Sequence, residues 1–140
     1  MSSIISEVTD LHAKVISDGV MTGTTVITGT AFELKGRSHV SYQIVWTSTA
    51  VGTMNFQVTN HPQPWLNPDG TATSLQTGTA NTAATWTTLT NPSAFSALQP
   101  AGTAGSSEFG FADLAALWIR PKYTNTSSTG VLQCWGAARR

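Results

Sequence analysis

Two short stretches alternate apolar and polar residues, and no other pattern in the chain restricts the fold as strongly. Over His39–Trp46, Val40, Tyr42, Ile44 and Trp46 share one face, while Ser41 and Gln43 share the other. Met54, Phe56 and Val58 then alternate with Asn55, Gln57 and Thr59. A period of two is the mark of a strand with one buried face. The short connection between the runs contains Gly52, so they are expected to pair as an antiparallel hairpin. Residues 25–34, 85–90, 117–124 and 131–137 are further strand candidates, and the last two flank a stretch of turn residues, 125–130. Short strands separated by turns predict an all-β fold, a single antiparallel β-sandwich (jelly-roll-like) over residues 18–140. At 140 residues such a domain buries roughly two thirds of the surface of its unfolded chain. It needs no disulfide or metal, and the single Cys134 has no intrachain partner.

Three segments depart from this pattern. Residues 60–84 contain Pro62, Pro64 and Pro68, which exclude a central strand. Asn67, Pro68, Asp69 and Gly70 read as a tight turn. Residues 91–107 form a second expected loop, followed by a single helical turn over 113–117 with Asp113 near its start. Residues 1–17 are expected to form an N-terminal arm. Ile4, Val8, Leu11 and Val15 are spaced as on one helical face, yet Val8, Thr9, Val15 and Ile16 also suit a strand, so both conformations stay open. In either form the apolar residues, Ile5 among them, are expected to dock outside the chain's own sandwich.

Charge narrows the function. Seven Lys/Arg balance seven Asp/Glu, and only 10% of residues are charged, against ~25% in an ordinary domain. Between Arg37 and Glu108 the only charge is Asp69. There is no basic excess for nucleic acid, no apolar run of membrane-spanning length, and no basic start and apolar stretch of a secretion signal at Met1–Glu7. The Thr- and Ser-rich surface suits either a neutral-faced β protein or a subunit covered by partners. With the apolar arm, it leads us to expect a homo-oligomer.

Candidate chemistry is sparse. His12, His39 and His61 fall in an arm, a strand start and a Pro-rich loop, and none has a second ligand at metal spacing. His61 and Asp69 lie near one another in a segment better explained as a turn. Cys134 reads as a small buried hydrophobe, and no Gly-x-Ser-x-Gly elbow or phosphate-cradling loop is present. We therefore expect no enzyme activity, catalytic residue, cofactor or metal. For most of Trp46, Trp86, Trp118 and Trp135 the sandwich core is the expected place. Trp65, beside Leu66 in the Pro-rich loop, is open to three roles: capping the sandwich, anchoring a protein interface, or stacking on a sugar. The candidate interface residues are thus Ile4, Ile5, Val8, Leu11, Val15, Trp65 and Leu66.

The run Tyr42-Gln43-Ile44-Val45-Trp46-Thr47-Ser48-Thr49-Ala50-Val51-Gly52-Thr53-Met54-Asn55-Phe56-Gln57-Val58-Thr59-Asn60 resembles a hairpin of small structural proteins of tailed bacteriophages. Thr85-Trp86-Thr87-Thr88-Leu89 is similar to their middle element, and residues 118–132, from Trp118-Ile119-Arg120 to Gly130-Val131-Leu132, to their closing hairpin. Asp18-Gly19-Val20-Met21 is similar to their opening turn. The resemblance covers about residues 15–136. It implies a β-sandwich of the virion that decorates or cements a capsid, frequently as a trimer, or sits in tail, fibre or baseplate parts. The implied partners are the major capsid protein or other virion proteins, with neither nucleic acid nor membrane. No catalytic residue carries over. Two positions depart from the family pattern. The loop after Asn60 is longer and richer in proline, and Pro121 replaces a β-branched residue, which predicts an edge strand or a bulge there. A carbohydrate-binding sandwich used in receptor recognition is the alternative reading.

Overall fold

The computed structural model describes residues 11–48, 50–61, 64–66, 79–80, 84–89 and 104–140. Among them no helix occurs, and the strands are β1 (Leu11–Val20), β2 (Val26–Thr28), β3 (Phe32–Glu33), β4 (His39–Trp46), β5 (Gly52–Thr59), β6 (Trp65–Leu66), β7 (Thr79–Ala80), β8 (Thr87–Thr88), β9 (Gly105–Phe111), β10 (Trp118–Asn125) and β11 (Val131–Arg139). One sheet has the order β1-β11-β4-β9. The other has the order β2-β10-β5-β8, with β3 also on β10, and β6 and β7 form a separate ladder. The two larger sheets are antiparallel and packed face to face as a β-sandwich.

The alternating runs form the strands their pattern predicts, but they are not a hairpin. β4 lies in one sheet and β5 in the other, so the chain crosses between the sheets from Trp46 to Gly52. Both apolar faces still point inward, where they meet each other instead of lying side by side. Tyr42 on β4 stacks on Phe56 of β5 with ring centroids 4.7 Å apart, and Phe111 of β9 meets the Phe56 ring edge-on at 5.0 Å. Val40, Tyr42, Ile44, Trp46, Met54 and Phe56 are buried, while Val58 is half-buried against the same core. The closing pair follows the same rule, with β10 in one sheet and β11 in the other.

The boundary expected at residue 17 falls inside β1, which corrects the expected arm for residues 11–17. β1 pairs along β11 from Leu11↔Ala138 to Val20↔Val131. Register shifts after Lys14 and Ile16 turn the neighbours Val15 and Ile16 both into the core. A bulge of this kind breaks the simple alternation, which is why the sequence leaves helix and strand open there. Ile4, Ile5 and Val8 lie outside the described residues.

β10 is an interior strand despite Pro121, contrary to the expected edge or bulge. Its outer neighbour is interrupted instead. β2 pairs with Lys122–Thr124 and β3 with Trp118–Ile119, leaving residues 29–31 opposite the proline. Gly29 N–H donates to Pro121 O at 2.9 Å, so the amide side of Pro121 faces this break, where no ladder bond is lost. A Cβ on Gly29 would lie 2.6 Å from Pro121 Cγ, so the ring occupies the space that glycine leaves.

Residues 113–117 form no helical turn. β9 takes up part of the loop expected over 91–107.

Candidate functional site

Of the expected interface residues, Leu11 packs partly buried against the core and Val15 is buried within it. Val15 is therefore not available for docking on a partner. Trp65 and Leu66 form β6 against Thr79–Ala80, and the roles expected of their side chains lie outside the described residues, as does Asp69.

Three connections instead converge at one end of the sandwich, through residues 21–25, residues 47, 48, 50 and 51, and residues 126–130. Met21 N–H donates to Gly130 O at 3.0 Å, and Thr126 N–H to Val51 O at 2.9 Å. Asn125 Nδ2 donates to Gly23 O at 2.7 Å, Val131 N–H to Thr47 Oγ1 at 2.9 Å, and the Ser48 and Thr129 hydroxyls lie 2.9 Å apart. Gly130 has φ +93°, and a Cβ there would sit 2.2 Å from Thr47 O, so only glycine lets these two connections close on each other. None of the three segments carries a charge. Val20 and Val26, on either side of the first connection, are 57% and 50% exposed. The result is a braced, uncharged end with two exposed valines.

Among the described residues, no group of three His, Cys, Asp or Glu could hold a metal ion. His39 begins β4, exposed, with Nδ1 3.1 Å from Ser38 Oγ. Cys134 is buried, and burial pushes its thiol up to about 12, which removes it as a nucleophile. Arg120 donates through Nε to Gln57 Oε1 at 3.0 Å and lies 4.0 Å over the Trp86 ring, a stacked arrangement that uses the guanidinium structurally.

The outer face of the β1-β11-β4-β9 sheet has its own relief, which the sequence reading missed. Lys14, Trp135, Gln43 and Glu108 are in register across the four strands. The outward row beside them is small in its middle: Ala137, Ser41 and Gly110, with His12 at its β1 end. Beyond that row stand Arg139 and His39, again in register. A cavity of about 420 Å³ lies over the small row, bounded by Trp135, Gln43, Glu108 and His12. A second, of about 430 Å³, shares Ser41 and Gly110 and runs on to His39 and Arg139. Trp135 is 37% exposed, which sets it apart from the core. Trp46 and Trp118 are buried as expected, and Trp86 is half-buried. The signal for Trp135 was its position between the buried Cys134 and Gly136, which puts its side chain on the opposite face.

No protein-family model and no curated protein matches this chain.

Proposed function

We propose that this chain is a virion structural protein, a capsid decoration or cement subunit of a tailed bacteriophage that acts by protein–protein contact. The resemblance described above supplies the class. The observation that carries the proposal is the braced, uncharged end formed by residues 21–25, residues 47, 48, 50 and 51, and residues 126–130. A surface whose loops are already tied together loses little conformational freedom on docking. A surface without charges avoids the cost of stripping water from ions that find no partner. Val20 and Val26 add apolar area, worth about 25 cal/mol per Å² covered. On this reading the chain is a homo-oligomer, a trimer as in the proteins it resembles, that binds the major capsid protein in the virion after assembly in the host cytoplasm.

The test is to quantify the chain in purified particles by mass spectrometry and to locate it by electron cryomicroscopy. A copy number in fixed ratio to the major capsid protein, on the head lattice, is the expected result. Val26→Glu should abolish incorporation while leaving the unfolding midpoint of the isolated chain nearly unchanged, since the site is half exposed. Density confined to the tail would replace the decoration reading with a tail or baseplate one. Absence from purified particles would overturn both.

A further inference from the structure

We infer that the trough on the outer face of the β1-β11-β4-β9 sheet is a binding site for a short oligosaccharide, with one sugar ring stacked against Trp135. This rests on an observation separate from the braced end and does not depend on the virion reading.

The walls, Trp135 with its row and Arg139 with His39, stand four residues apart along the strands, roughly 13 Å. Between them the floor is lowered by Ala137, Ser41 and Gly110. A cavity of about 420 Å³ falls within the range of small-molecule sites, and its continuation toward Arg139 makes the site elongated.

The chemistry of the lining then selects the ligand. A pyranose offers an apolar C–H face and a rim of hydroxyls that both donate and accept. The indole of Trp135 lines the trough and, with Lys14 Nζ 5.0 Å over one face of the ring, has its other face left as an apolar platform. Gln43 both donates and accepts, Glu108 accepts, and Ser41 does either. Ser41, Gln43 and Glu108 all line the trough. Other ligands fit less well. Lys14 lies 5.0 Å over the Trp135 ring, and one engaged cation beside a carboxylate is no phosphate-binding surface. An extended peptide adds to a sheet edge by backbone pairing, whereas this trough lies across a sheet face.

Gly110 provides a clean test. A Cβ there meets nothing closer than Val40 O at 4.0 Å, so Gly110→Gln fills the trough without disturbing the core. The full chain is applied to an array of neutral, amino-sugar and uronic-acid oligosaccharides, and the best ligand is then titrated calorimetrically. We expect binding that Trp135→Ala and Gly110→Gln each weaken by about tenfold or more, with both variants unfolding close to the wild-type temperature. Binding that persists in Gly110→Gln, or no binding to any sugar on the array, overturns the inference. If Trp135→Ala lowers the unfolding temperature, Gly110→Gln alone decides. Particle incorporation is scored on the same variants. Loss of sugar binding with normal incorporation separates this site from the capsid-docking end.

Discussion

Ser128 holds both backbone polar groups of Val51 from 77 residues away. Val51 N–H donates to Ser128 Oγ at 2.7 Å, and the hydroxyl reaches Val51 O at 2.9 Å. The Tyr123 hydroxyl lies 2.8 Å from the same Oγ and donates to Asn125 Oδ1 at 3.1 Å. One buried hydroxyl thereby ties the arch between β4 and β5 to the turn between β10 and β11. Those two connections cross between the sheets, so this tie also closes one end of the sandwich.

Ser128→Ala should therefore cost more than one ordinary hydrogen bond. It leaves the Val51 amide without its acceptor, a loss of about 1–3 kcal/mol. Tyr123→Phe keeps the ring and removes only the hydroxyl, so about 0.5–1.5 kcal/mol is expected. Urea unfolding of the two variants measures both values. A wild-type midpoint for Ser128→Ala would show that the end is not braced, and the proposed docking surface would lose its physical basis.

The core prediction rests on Phe56, which sits between the sheets against Tyr42, Phe109 and Phe111. Phe56→Ala removes the ring that both sheets share and leaves a cavity. The expected cost is about 3–5 kcal/mol, read as a drop in thermal unfolding temperature. His61→Ala, outside the aromatic cluster, should change stability little by comparison. The reverse order would mean that the Pro-rich loop, and not the facing aromatics, organises the domain.

What could be read from the sequence divides along a physical line. Alternation reports which face of a strand is buried, and it placed Tyr42, Ile44, Trp46, Met54 and Phe56 correctly. It carries no information about which strand lies alongside, because a five-residue connection serves a hairpin within one sheet or an arch between two. β9 escaped notice because its outward positions are Ser106, Glu108 and Gly110, which read as loop. β1 was ambiguous because its bulge puts Val15 and Ile16 on the same side. The trough was invisible for a related reason. Its rows join residues from β1, β4, β9 and β11, and only the register of four strands brings Trp135, Gln43 and Glu108 together. The braced end was half legible: turn residues at 125–130 and the absence of charge were in the sequence, but not their convergence with residues 21–25 and with residues 47, 48, 50 and 51.

Truncation tests the corrected boundary. A chain lacking residues 2–16 loses the pairing of Leu11–Ile16 with Cys134–Ala138 and the buried side chains of Val15 and Ile16, about 1.5–3 kcal/mol each when fully covered. It should be unfolded, or melt far below the full chain, when followed by circular dichroism. A truncated chain that melts like the intact one would restore the separate arm and remove β1 from the sandwich.

Alkaline pH provides the last test, and its sign follows from burial. Cys134 is pushed from an ordinary value of 9.0 up to about 12 in the folded chain, because its thiolate would be cut off from water. Tyr42 is pushed well above 10.0 by the same burial first and by the nearby Cys134 second. Both groups hold their protons longer when folded than when unfolded. Their contribution to stability is complete below the unfolded pKa and is lost as pH rises toward the folded value. Across the interval from 9.0 to about 12 the unfolded thiol ionises while the folded one does not. Stability then falls by up to about 1.4 kcal/mol per pH unit from Cys134 alone. Urea unfolding from about pH 8 to about pH 11 should show this decline, and Cys134→Ala should make it shallower, leaving the share of Tyr42 above about pH 10, while lowering the plateau through the lost side-chain volume. In the same range a thiol reagent should modify the native protein only as fast as it opens, because the buried thiol is neither ionised nor exposed. Rapid stoichiometric modification near neutral pH, or an alkaline slope unchanged in Cys134→Ala, would place the thiol at the surface and contradict the packing of β11 against the core.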